Sequence, residues 1–188
     1  MRRSLILAAP VGAVLGSLLL VAAPAQAETG PRVEALVGLD RISLDEGQYG
    51  LGTYNKSGFT YGGALGYDYQ IAPVVSVGAD VELDGSTARY HGGPSMLSAG
   101  RDFYFGGRAT LALSPLTHVY AKVGYANARI TANLPGYSAS TNGDGVRFGV
   151  GLQQSLAPRI YGLVEYRYTS YQDNFSRNQL LTGLGFRF

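Results

Sequence analysis

Asp80, Glu82 and Asp84 stand at every second position, which puts three carboxylates on one face of an extended strand, where they could chelate a cation. Two histidines offer acid–base chemistry. His91 has Asp84, Ser86 and Ser95 nearby in sequence, while His118 sits in Leu116-Thr117-His118-Val119-Tyr120. A nucleophile needs its base within hydrogen-bond reach, and a histidine in a polar loop is ordinarily just solvated. The expectation is therefore no catalytic residue. Gly62-Gly63-Ala64-Leu65-Gly66 has the composition of a phosphate loop but lacks the helix and lysine that must follow it. The 188 residues include no Cys, which excludes a disulfide scaffold and any Cys-ligated zinc or iron–sulfur site. No metal or cofactor is expected, and a formal charge of +2 gives no case for nucleic acid.

The elements that must position these residues begin after an export signal. Arg2 and Arg3 precede an apolar run from Leu5 to Ala23, and Ala25-Gln26-Ala27 is a small-x-small cleavage site before Glu28. The run approaches the ~20 residues of a membrane anchor, but Pro10, Gly12, Gly16 and the cleavage tripeptide favour a Sec signal peptide over residues 1–27. The mature chain, 28–188, is then one domain. Removing two arginines from fifteen basic residues leaves thirteen, against thirteen acids, so the exported product is formally neutral.

Within it, apolar and small or polar residues alternate repeatedly. Phe59, Tyr61, Leu65, Tyr67, Tyr69 and Ile71 share one parity, and Thr60, Gly62, Ala64, Gly66, Asp68 and Gln70 the other. The same two-faced pattern recurs over 33–40, 75–84, 103–113, 119–126, 146–153, 164–168 and 180–188, which predicts eight strands. Pro73, Pro115 and Pro158, spaced 42 and 43 residues apart, mark short turns. Polar stretches at roughly 45–57, 85–100, 131–144 and 170–177 read as four longer loops rich in Ser, Asn, Asp and Gly. Short turns at one end and long loops at the other describe an up-and-down meander with both termini at the short-turn end.

A soluble antiparallel barrel would turn its apolar face inward. Three features oppose that here. Tyr and Phe flank the apolar faces near the strand ends, as in the aromatic girdles of membrane barrels. The opposite face alternates Gly with charge. Strands of about 10–12 residues suit a tilted bilayer crossing better than a soluble sheet. The fold expected is all-β, an eight-stranded antiparallel up-and-down transmembrane β-barrel. Its first three strands point Glu34, Asp40, Asp68, Asp80, Glu82 and Asp84 inward. The last five point Arg108, Lys122, Arg147, Arg167 and Arg187 inward, with Glu165 the acidic exception. A barrel of eight strands is only wide enough for side chains to fill, so paired charges plugging the lumen are expected over an open pore. Pairing with those bases is also the expectation for the Asp80-Glu82-Asp84 face, ahead of a metal.

The chain ends Gly183-Leu184-Gly185-Phe186-Arg187-Phe188, and Gly183, Phe186 and Phe188 resemble the C-terminal assembly signal of outer-membrane barrels. Leu163-Val164-Glu165-Tyr166-Arg167-Tyr168-Thr169 is similar to the penultimate strand, and Tyr120-Ala121-Lys122-Val123-Gly124-Tyr125 to the fifth strand, of the OmpA/OmpX-like small outer-membrane barrels. The resemblance covers about 33–188. It implies a monomer in the outer membrane, in contact with lipid and lipopolysaccharide, received by the barrel-assembly machinery through its last strand. Four extracellular loops would be free to bind a ligand, in a structural or surface-interaction role; a small-solute or ion channel is the alternative. The sequence departs from the family in having no Trp, so its girdles rest on Tyr and Phe, and no peptidoglycan-binding domain follows Phe188. Some eight-stranded barrels modify lipid A with a His-x-Ser pair. Neither His91-Gly92-Gly93 nor His118-Val119-Tyr120 supplies it, so an enzyme is the least favoured reading.

Overall fold

Alternation with period two gives every strand one face to bury, and a closed sheet supplies neighbours on both edges of each long strand. A computed structural model describes residues 25–44, 54–87, 89–92, 95–134, 137–172 and 175–188, with side chains at 25–41, 57–87, 101–129, 143–172 and 176–188. The strands are β1 (Gly30–Leu44), β2 (Tyr54–Ala72), β3 (Val75–Ser86), β4 (Arg89–Gly92), β5 (Ser95–Ala112), β6 (Thr117–Leu134), β7 (Tyr137–Ala157), β8 (Ile160–Tyr171) and β9 (Phe175–Arg187). Each long strand pairs antiparallel with its sequence neighbour, and β1 pairs with β9, so eight long strands form a closed barrel. Among the described residues the four-residue β4 pairs only with the start of β5, beyond the end of β3.

Following hydrogen-bonded partners once around the wall, Arg32 leads to Gly66, Asp80, Gly106, Gly124, Arg147, Thr169 and Arg177, and back to β1 at Ile42. The sheet therefore closes with a stagger of ten residues. Strands in such a barrel tilt by roughly 40°, and eight of them leave an interior the width of side chains.

The two faces are reversed relative to a soluble protein. Outward residues form an exposed apolar surface that includes Val37, Leu39, Phe59, Leu65, Phe105, Val123, Phe148 and Leu184. Inward residues are predominantly polar, and Arg147 and Arg167 are 0% exposed. Burying guanidinium groups while exposing Phe and Leu is stable only where the outside solvent is hydrocarbon. Two small apolar patches interrupt the inner wall, Leu36 with Ala64, Tyr161, Leu163 and Leu181, and Ala126 with Ala128 and Tyr171.

Three short turns close the end at which β1 begins and β9 ends: Pro73-Val74, the stretch from Leu113 to Leu116, and Pro158-Arg159. In the second, Ser114 accepts from Leu116 and Thr117 amides at 3.3 and 3.0 Å. In the third, Arg159 adopts φ 69°, the left-handed region that follows Pro in a type II turn.

At the far end the predicted loops are largely strand, which corrects their extents. β2 already begins at Tyr54, β5 at Ser95, and β6 and β7 stay paired as far as Leu134 and Tyr137, through most of the stretch expected to be an open loop. The eight long strands run from 12 to 21 residues rather than 10–12. The reason is physical. Past the apolar belt neither face has to be apolar, so the alternation fades while the backbone ladder continues to satisfy its own donors and acceptors.

Candidate functional site

The site is the lumen, and glycine makes room for it. A Cβ at Gly66 would lie 2.6 Å from the Arg32 guanidinium carbon, and one at Gly151 would lie 2.5 Å from the Tyr120 hydroxyl. These inward glycines are the seats of the large polar side chains on neighbouring strands.

The charged groups assemble into two clusters of ion pairs. Nearer the termini, Arg32 donates Nε to Asp68 at 2.9 Å and Nη1 to Glu34 at 3.2 Å, and its Nη2 pairs with Asp80. Arg108 donates to the same Glu34 oxygen at 3.2 Å and lies 3.8 Å from Asp80. Tyr161 adds a hydroxyl donor to Glu34 at 2.7 Å. At the mouth, Arg187 reaches Asp68 at 3.3 Å and Glu28 at 2.9 Å.

Farther along the barrel, Lys122 lies between Glu82 and Glu165, 2.6 Å from the latter. Arg167 donates to Asp84 at 2.8 Å and Glu82 at 3.1 Å, and pairs through Nε with Glu165. Arg147 pairs with Asp102, lies 3.4 and 3.5 Å from Glu82 and Asp84, and donates Nε to Thr169 at 3.0 Å. Arg177 holds Asp40 with two nitrogens, at 2.8 and 2.5 Å, and donates to Asp102 at 2.7 Å.

Tyr120 joins the two clusters. The Arg108 guanidinium stacks 3.5 Å above its ring, and its hydroxyl donates to Glu165 at 2.5 Å. Ions removed from water in this way are tolerable only when each finds opposite charge and satisfied hydrogen bonds, and shared carboxylates give most of these cations two or three partners.

All twelve lumen charges read from the sequence, Glu34, Asp40, Asp68, Asp80, Glu82, Asp84, Arg108, Lys122, Arg147, Glu165, Arg167 and Arg187, are at most 8% exposed, and each takes part in an ion pair. Sequence reasoning missed Arg32, Asp102 and Arg177. Each has the inward parity of its strand but lies just outside the apolar alternation used to bound it. Their presence also breaks the expected division into acidic early and basic late strands, because Arg32 belongs to β1 and Asp102 to β5.

The Asp80-Glu82-Asp84 face is divided between the clusters: Asp80 pairs with Arg32, and Glu82 and Asp84 with Arg167. Among the described residues no three His, Asp or Glu side chains are arranged to hold a metal. His118 is 3% exposed at the terminal mouth of the lumen, its Nε2 3.4 Å from the Gln26 carbonyl. His91 falls in β4, and its side chain lies outside the described residues. At the C-terminus, Phe186 and Phe188 point outward and pack edge to face, centroids 5.0 Å apart, while a Cβ at Gly183 would meet the Leu36 side chain at 2.8 Å.

A closed sheet with an apolar exterior and an ion-paired interior defines a transmembrane β-barrel. The sequence matches the model of the outer membrane protein beta-barrel domain family over residues 12–188, and the chain belongs to that family. Outer-membrane residence follows from that membership. No curated protein matches it. Solved structures of similar fold include Ail, the attachment invasion locus protein of Yersinia pestis, at 17% identity over 85% of this chain and 99% of that one, with a TM-score of 0.57. Neisserial surface protein A is similar at 18% identity over 85% and 97%, TM-score 0.59. The N-terminal barrel domain of Pseudomonas aeruginosa OprF is similar at 14% identity over 86% and 100%, TM-score 0.55. Ail has also been solved in complex with the heparin analogue sucrose octasulfate. These likenesses establish the small outer-membrane barrel fold.

Proposed function

We propose that this outer-membrane barrel is a closed, non-enzymatic surface protein whose lumen is a structural plug and whose far end meets extracellular partners. The observation that carries the reading is the ion-paired filling of the lumen, in which fifteen buried Asp, Glu, Lys and Arg side chains from all eight long strands occupy a space of side-chain width. An open aqueous path would leave such groups hydrated and unpaired.

In this reading residues 1–27 are a Sec signal peptide removed after Ala27, and both termini and the three short turns face the periplasm. The four far-end connections face outward and are the place for an extracellular ligand; the complex of Ail with the heparin analogue sucrose octasulfate supports ligand binding as such by analogy of fold. Gly183, Phe186 and Phe188 present the last strand to the barrel-assembly machinery. Closure pairs all eight long strands on both edges, which favours a monomer surrounded by lipid and lipopolysaccharide.

Single-channel recording in a planar bilayer tests the plug, using protein first shown to migrate as a heat-modifiable folded band. Absence of discrete openings supports it. Steady openings that change on neutralising Glu82 or Arg147 would make the protein a channel.

A further inference from the structure

We infer that residues 26–29 form a strap across the terminal mouth of the barrel, so that in the closed barrel the bond between Ala27 and Glu28 is withheld from the peptidase that would cut it. The inference rests on the signal-peptide reading proposed above and adds an order to it: cleavage has to come before closure.

The strap is fixed at four points. The Ala27 amide donates to the Pro73 carbonyl, in the turn between β2 and β3, at 2.8 Å. Thr29 Oγ1 accepts from the Gln70 amide of β2 at 2.9 Å. Glu28 pairs with Arg187, at the end of β9, at 2.9 Å. The Gln26 carbonyl lies 3.4 Å from Nε2 of His118, the second residue of β6. In the ring of eight long strands β6 stands opposite β1, four strands away in either direction. The chain that enters β1 at Gly30 therefore meets an imidazole that comes from the opposite wall. Four residues extend over at most about 14 Å, enough to cross a lumen of side-chain width. The peptide unit between Gln26 and Ala27 is itself a bridge, with its N–H on the β2–β3 turn and its carbonyl toward β6.

These are the groups that cleavage needs. The cut is specified by the small side chains of Ala25 and Ala27, and an extended substrate is held through its backbone donors and acceptors. In the folded barrel the Ala27 residue is 5% exposed, its N–H is bonded to the rim, and the Glu28 side chain is held by Arg187. Presenting the bond requires the strap to open locally, a step that an unfolded chain does not need. After cleavage Glu28 and Thr29 keep their partners on β9 and β2, whereas the bridge between Pro73 and His118 leaves with the signal peptide.

The test exposes the full 188-residue precursor to purified signal peptidase in nonionic micelles, either refolded to the heat-modifiable band or held unfolded, both in the same urea concentration. Mass spectrometry locates the cut. The unfolded precursor is expected to be cut between Ala27 and Glu28, and the folded one at least about tenfold more slowly. Equal rates overturn the inference. The double variant Glu28→Gln, Thr29→Val removes two of the four anchors and should raise the folded rate at least about threefold relative to the unfolded rate of the same variant. An unchanged ratio also overturns it.

A second readout does not depend on signal peptidase. Proteinase K acting on the folded precursor should leave Gln26 and everything after it attached to the barrel. A folded product that begins at Ala27 or later overturns the strap. If the peptidase cuts neither form at this bond, the signal-peptide reading fails and the order of events with it, while the proteinase K product still decides the strap.

Discussion

Glu82 shows what a single lumen residue carries. It faces Lys122, Arg147 and Arg167 at once. Glu82→Gln removes the negative charge and leaves three buried cations to share the remaining acids, so the barrel should lose about 3–5 kcal/mol. Urea unfolding in lipid vesicles measures this, and a loss below about 1 kcal/mol would mean that the lumen is hydrated. Most of this chemistry could be read from residue parity alone, since a charge inside an otherwise apolar–small alternation announces its face. Arg32 could not, because it precedes Val33, the first residue of the recognised alternation, and Arg177 could not, because it follows a polar run with no alternation of its own. Which acid meets which base was also beyond sequence. Partners such as Glu34 and Arg108 are 74 positions apart and meet only through the stagger of the closed wall.

At the scale of the element, existence and direction of the strands were legible and their far ends were not. Turn prolines and apolar alternation mark the terminal ends of β2, β3, β5, β6, β7 and β8 sharply, whereas β7 extends to 21 residues through Ser, Thr, Asn and Gly that signal a loop. The Pro158-Arg159 turn holds one local conflict between residue and conformation. A non-glycine residue at positive φ costs about 1–2 kcal/mol, so Arg159→Gly should raise stability by up to about 1 kcal/mol after the added chain entropy of glycine. The urea midpoint reports it; a fall would mean that the Arg159 side chain contributes a contact worth more than the strain. The last strand yields a different expectation. Phe186 and Phe188 lie outside the lumen, so replacing both with Ala should leave in vitro refolding able to reach the heat-modifiable band. Cells should nevertheless accumulate far less folded barrel. Equal amounts in cells would remove the assembly role of these two residues.

For the whole molecule, the decisive fact is inversion: hydrocarbon-facing Phe and Leu outside, ionic groups inside. Eight strands with a ten-residue stagger leave an interior of side-chain width, and Arg32, Arg147 and Arg167 are buried in it. The silence expected in planar-bilayer recordings is the electrical expression of that geometry. Fold class and environment were accessible from sequence because the alternation repeats eight times, and each weak strand signal reinforces the next.

The tyrosine between the ionic clusters also makes the lumen a measurable thermodynamic circuit. Pairs within one cluster, such as Glu82 with Glu165, should be strongly non-additive in double-mutant cycles, and pairs across clusters, such as Glu34 with Glu165, should couple chiefly through Tyr120. Tyr120→Phe keeps the face under Arg108 and removes the hydroxyl donor to Glu165. In that background the coupling between Glu34 and Glu165 should shrink toward additivity, within about 0.5 kcal/mol, while coupling inside each cluster persists. One oxygen atom would then set whether the two halves of the barrel's interior respond to perturbation together or separately.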